Sequence, residues 1–161
     1  MSLPAWMDSN LATQGYCLRP EQSRALWLGL RFSTGVCLLL TAGALIAGSA
    51  AVFVGLAAIG AVAGVGRRHP FDYVWNGAVR HALGAPPVPP SPARRRHAFK
   101  VATAWMLVLA GLFAIGAQAA AVIAGALLLA ACAAVTVANL CLPSLALSLV
   151  ERRRSTQPAA T

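Results

Sequence analysis

Two long stretches without a charged residue constrain this chain more than any other feature: none falls between Arg31 and Arg67, and none between Lys100 and Glu151. Each far exceeds the roughly 18 apolar residues that suffice for one membrane crossing. Of the 161 residues, 58% are hydrophobic and 11% charged, against about a quarter charged in a soluble domain. That excess is too large for one water-soluble core of this size.

Length then divides each stretch. A single helix from Ser33 to Gly66 would be about 50 Å long at about 1.5 Å per residue, against a hydrocarbon layer of about 30 Å. Two helices with a tight turn fit instead. The first turn is expected near Gly48 and Ser49, the second near Gly116 to Ala119, where Gln118 is the one strongly polar interruption. The expected fold is an all-α integral membrane protein with four short transmembrane helices in two hairpins. Its spans fall at 28–46, 50–66, 99–117 and 120–141, in a single membrane domain over 1–161.

Charge gives orientation. The thirteen Lys and Arg residues cluster before the first stretch (Arg19, Arg24, Arg31), between the two (Arg67, Arg68, Arg80, Arg94, Arg95, Arg96, Lys100) and after the second (Arg152, Arg153, Arg154). Basic residues at span ends favour the cytoplasmic side. Four spans put every one there, with both termini cytoplasmic in a bacterial inner membrane; two spans would put a basic region outside. The net charge of +9 is thus an orientation signal, and no nucleic-acid partner is expected from it. A signal peptide cleaved near Ala47-Gly48-Ser49 is disfavoured, because about 30 residues would precede its apolar core.

The loop 67–98 carries its own organisation. Phe71, Val74, Trp75, Ala78 and Ala82 recur at helical spacing, with Asp72, Asn76 and Arg80 on another stripe, which predicts a short interfacial helix over 70–83 ended by Gly84. Pro86, Pro87, Pro89, Pro90 and Pro92 then make an extended strap, and Ser91-Pro92 reads as the N-cap and first residue of the third span. Gly60 with Gly64, and Gly43 with Ala47, are small-xxx-small pairs that permit close helix packing. Pro143 should end or kink the last span. Trp27 and Trp105 sit at the expected depth for interfacial aromatics.

His69-Pro70-Phe71-Asp72, Asn76, Arg80, the proline strap and Arg95-Arg96-His97-Ala98, followed by Asn139 shortly before Cys141, resemble the signature of the bacterial membrane-protein family called domain of unknown function 4395 (DUF4395). The resemblance runs over roughly 20–150 and implies a four-span protein with no established reaction. Family members often close the last span with Cys-x-x-Cys; here the place reads Cys141-Leu142-Pro143-Ser144, so the second thiol is a hydroxyl. His97 stands where an aromatic is expected.

Chemistry at these residues is sparse. Dithiol exchange needs a second sulfur to resolve a mixed disulfide, and Ser144 cannot supply it. Cys141 therefore reads either as a small helix-end residue or as a partner-sensing thiol. Asn139 needs a hydrogen-bond partner at membrane depth. His69, His81 and His97 show no dense ligand spacing, so no metal is expected, and no cofactor motif is present. Arg95 and Arg96 fit lipid headgroup contact. The spans contain no carboxylates of the kind that mark proton pathways.

The leading expectation is a noncatalytic membrane scaffold or accessory protein, contacting lipid or a membrane or cytoplasmic partner through His69, Asp72, Asn76, Arg80, Arg95, Arg96 and Asn139. A thiol-redox accessory using Cys141 is the alternative and small-solute transport a third. Homo-oligomerisation stays open.

Overall fold

The computed structural model describes residues 5–156; positions 1–4 and 157–161 of the expected domain lie outside them. Among the described residues every regular element is helical. Two short helices, α1 (Ala5–Thr13) and α2 (Pro20–Ala25), precede the first hairpin, α3 (Trp27–Ala47) and α4 (Ala50–Val65). A bent segment follows: α5 (Pro70–Val74), a π-helical turn over Trp75–Val79, and α6 (Arg80–Leu83). The second hairpin is α7 (Ala93–Ala114) and α8 (Gln118–Ala138), and α9 (Leu142–Thr156) closes the chain.

The turns sit where glycine permits them. Gly48 ends α3 at φ 59°, and the Ser49 hydroxyl accepts from the Val52 amide to start α4. Gly116, at φ 74°, turns the second hairpin. Gly84, at φ 61°, ends α6 as expected.

The protein is an all-α, membrane-spanning bundle. α3, α7 and α8 are each long and apolar enough to cross a membrane; α4, with 16 residues, reaches that standard only together with residues 70–83, from which a 76° bend divides it. Several boundaries differ from the expected spans. α7 begins at Ala93, because Arg94, Arg95 and Arg96 extend the helix beyond its apolar part. Pro92, not Ser91, is its N-cap; Ser91 instead donates its amide to the Arg67 carbonyl at 2.8 Å. α8 stops at Ala138 because Asn139 turns left-handed, and α9 is a separate helix with Pro143 in its first turn.

The hairpins pack pairwise, α4 along α7 and α3 along α8. A Cβ on Gly60 would come within 2.6 Å of the Thr103 hydroxyl, and one on Gly64 within 2.8 Å of the Lys100 side chain, so this glycine pair lets α4 and α7 approach. Gly43 does nothing similar: a side chain there would meet nothing within 4 Å. Phe53 stacks on Phe113 at 5.6 Å near the turns. Trp105, on α7, donates its indole N–H to the Ala124 carbonyl of α8 at 3.2 Å.

Replacing Gly60 by Leu is expected to destabilise the protein by about 1–3 kcal/mol through overpacking of the α4–α7 seam. Gly43→Leu should stay within about 0.5 kcal/mol of the parent. Reversible unfolding in mixed micelles measures both.

Candidate functional site at the basic end of the bundle

The sequence His69-Pro70-Phe71-Asp72 folds into a helix cap. His69 is the N-cap of α5; its Nδ1 accepts the Phe71 amide at 3.2 Å, and Asp72 Oδ2 accepts the His69 amide at 3.1 Å. This is a reciprocal capping box with an imidazole in place of the usual hydroxyl, and Pro70 in the first turn has no N–H to satisfy. The cap holds the bend between α4 and α5.

It also fixes the tautomer. With Nδ1 accepting, the proton sits on Nε2, which lies 3.6 Å from Cys37 Sγ. A base for Cys37 would need the Nε2 lone pair, so His69 is not arranged to deprotonate that thiol. Burial pushes the imidazole down to about 4; the Asp72 carboxylate opposes the shift and the Arg95 cation reinforces it. His69 is neutral at pH 7.

The next turn is π-helical. The Arg80 amide reaches back to the Trp75 carbonyl, and the Arg80 Nε takes the Asn76 carbonyl at 2.8 Å. The Asn76 side chain faces the strap: Oδ1 accepts the Val88 amide at 2.7 Å and Nδ2 donates to the Val88 carbonyl at 3.2 Å. Arg68 donates to that same carbonyl. Trp75, fully buried, donates to the Pro86 carbonyl at 3.3 Å and packs with Val88 against Gly29, where a Cβ would come within 2.6 Å of Val88 and 2.8 Å of the indole. The stripe Asp72, Asn76, Arg80 thus turns toward the chain's own backbone. Tyr73, Val74 and Leu83 are the large hydrophobic side chains that the segment exposes, with His81 exposed among them.

Arg95 is 4% exposed. It donates to Tyr16 Oη at 2.7 Å and to the Leu30 carbonyl at 3.3 Å, with its guanidinium against the Tyr16 and Phe99 rings. Arg96 lies at the α4–α7 seam, its carbonyl beside Gly64. Arg94 pairs with Glu151 of α9 at 2.6 Å, a half-exposed contact worth about 0–1 kcal/mol. Asn139 acts through its backbone: φ is 53°, and its carbonyl accepts Gln14 Nε2 at 2.6 Å. It is not brought against His69 by any hydrogen bond.

Cys141 is buried just before α9, and the Ser144 hydroxyl donates to its sulfur at 3.1 Å. Ser144 therefore occupies the position of the missing second thiol, in contact with the first. Cys37, Cys132 and Cys141 line one cavity, of about 930 Å³, together with His69 and Arg95, whereas Cys17 is exposed and is not among its lining residues. Among the described residues, no group of three or more His, Cys, Asp or Glu side chains is placed to hold a metal. His81 and His97 are exposed.

The sequence placed Arg31 at this end by its charge, but did not bring out Gln14, Tyr16, Cys37 or Cys132 as parts of it. A signal existed for α3: Ser33, Cys37 and Thr41 recur every four residues, which puts them on one helix face, and Ser33 and Thr41 are buried. None existed for Gln14 and Tyr16, whose partners lie more than 70 residues away.

Because unfolded histidine titrates near 6.5 and the folded imidazole near 4, the unfolded chain binds the extra proton first. The contribution of His69 to stability is complete above about pH 6.5 and is lost as pH falls toward 4. His69→Asn, which keeps an N-cap acceptor, is expected to flatten that pH dependence in thermal unfolding. Ser144→Cys is expected to form a disulfide with Cys141 on mild oxidation, read as loss of two titratable thiols. Retention of both would show that the two positions do not meet bridge geometry.

No curated protein and no solved structure matches the chain. Residues 28–152 match the family described as Domain of unknown function (DUF4395), from the start of α3 into α9 and so across both hairpins, the bent segment and the strap. With more than half of its length matched, the chain belongs to the DUF4395 family.

Proposed function

We propose that this protein is a noncatalytic membrane accessory protein of the bacterial inner membrane, with a rigid platform on its cytoplasmic side that rests on lipid headgroups. α4 serves as the fourth crossing, so both termini and the bent segment 70–83 face the cytoplasm. One observation carries the proposal: His69, Asp72, Asn76, Arg80 and Arg95, the residues best suited to chemistry, each hydrogen-bond the chain's own backbone. Such bonds hold a shape. They leave Tyr73, Val74, His81 and Leu83 exposed on a segment that contains Arg80 and directly follows Arg67 and Arg68 in the chain, a combination suited to an anionic interface.

A thiol-redox accessory is the second reading, favoured by the Cys141–Ser144 contact and by the three cysteines on one cavity. A mixed disulfide trapped in membranes and abolished by Cys141→Ser would support it over the platform. Solute transport draws less support, because among the described residues Arg95 is the one Asp, Glu, Lys or Arg on the cavity wall.

Cysteines placed at Gly48 and Gln118 are expected to react with an impermeant maleimide from outside, and cytoplasmic-only labelling would overturn the orientation. A photoreactive residue at Tyr73 or Leu83 in native membranes is expected to give lipid adducts. Adducts only with a soluble protein would contradict the headgroup platform.

A further inference from the structure

We infer that the cavity inside the bundle is a binding site for a single-chain lipid with an anionic head, a long-chain fatty acid, that enters sideways from the bilayer. The inference is independent of the platform proposed above.

Its size is the first support. At about 930 Å³ the cavity lies at the upper end of the roughly 300–1,000 Å³ typical of small-molecule sites. Its wall is overwhelmingly apolar, built from such residues as Leu56, Ile59, Met106 and Leu128. A polar solute would lose its hydration there without replacement. A hydrocarbon chain would not.

The exposed lining residues show where a ligand would enter. Val101 on α7, Leu127 on α8, and Leu142 and Val150 on α9 line the cavity and are also exposed. The opening therefore has a largely apolar rim contributed by α7, α8 and α9, with the exposed His97 of α7 as its polar member. In a membrane-spanning bundle, such a rim on the outside of α7 and α8 meets acyl chains.

Charge selects the head group. Among the described residues Arg95 is the only Asp, Glu, Lys or Arg on the wall, it is 4% exposed, and no carboxylate lies within ion-pair distance of it; the buried Asp72 carboxylate acts on it electrostatically from farther away. The two hydrogen bonds of Arg95, to Tyr16 Oη and the Leu30 carbonyl, engage two of the five N–H donors of a guanidinium. The remaining donors suit a carboxylate, which guanidinium binds in a planar, two-point arrangement. Gln14 and His69 belong to the same lining, but Gln14 Nε2 already donates to the Asn139 carbonyl and His69 Nε2 faces Cys37 Sγ, so Arg95 carries the recognition of a head group. An apolar chamber with one buried cation that no carboxylate contacts directly matches an amphiphilic anion.

The test uses full-length protein in nanodiscs of zwitterionic lipid, with cis-parinaric acid as the fluorescent probe. Saturable binding is expected, displaced by oleic acid and much more weakly by oleyl alcohol. Equal displacement by acid and alcohol would overturn the assignment, since no charge recognition would be present. Arg95→Gln is expected to weaken oleic acid binding roughly ten- to a hundredfold, the loss of a charge-assisted contact, and to leave the alcohol unchanged. Should that variant not fold, Ala131→Phe, which fills the cavity from α8, carries the test: it is expected to abolish probe binding, and unchanged binding would show annular partitioning only. Mass spectrometry of lipid co-purified with the parent protein separates the sources of the anion. Free fatty acid is expected, and phospholipid alone would contradict the single-chain assignment.

Discussion

The end of α8 is the constraint on which the basic half of the molecule depends. A helix leaves its last four carbonyls without intrahelical partners, and at membrane depth water cannot be counted on to supply them. Here side chains from elsewhere supply all four: Arg31 donates to Thr136 and Val137 at 2.7 and 2.9 Å, Asn10 to Ala138 at 2.8 Å, and Gln14 to Asn139 at 2.6 Å. A cation at a helix C-terminus is also favoured by the helix dipole. The same contacts set the register of α3 on α8 and hold α1 over the bundle. They let the chain turn at Asn139 and start α9, which brings Cys141 to the cavity with Ser144 in contact behind it.

The loop between the hairpins solves a related problem by facing inward. An interfacial helix ordinarily turns its polar stripe to water, yet Asp72 and Asn76 here bond the backbone of the loop itself, and Trp75 fills the notch left by Gly29. The strap is held at its middle, where Val88 receives Asn76 at both its amide and its carbonyl. Polar side chains thus act as internal braces. The outer surface of the segment is left largely to Tyr73, Val74 and Leu83, with His81 among them, which makes it compatible with the lipid interface.

What was legible in the sequence follows from which signals are local. The charge-free stretches, the turn at Gly48 and the helix end at Gly84 depend on neighbours within a few residues, and helical structure over 70–83 needed only its period, whereas α8 ends at Ala138 through the left-handed Asn139 and Pro143 starts α9 instead of ending the span. Gly60 and Gly64 could be recognised as a packing pair, but nothing local distinguished them from Gly43, because that depends on what lies opposite. The inward turn of Asp72 and Asn76 was hidden for the same reason: a polar stripe reads identically whether it meets water or a strap. The cavity was least legible of all. Cys37, His69, Arg95, Cys132 and Cys141 come from five separate parts of the chain, and the pairing of α3 with α8 and of α4 with α7 helps to gather them.

The most direct test of the claim that this loop is a braced part of the fold is hydrogen exchange, resolved by mass spectrometry, on the protein in lipid nanodiscs. The amides of Phe71, Asp72, Val88 and Ser91 are all bonded, to His69 Nδ1, the His69 carbonyl, Asn76 Oδ1 and the Arg67 carbonyl. Peptides covering them are expected to exchange slowly, well behind the free-chain rate. Exchange of residues 69–91 at the free-chain rate, with α3 and α8 still protected, would contradict the account.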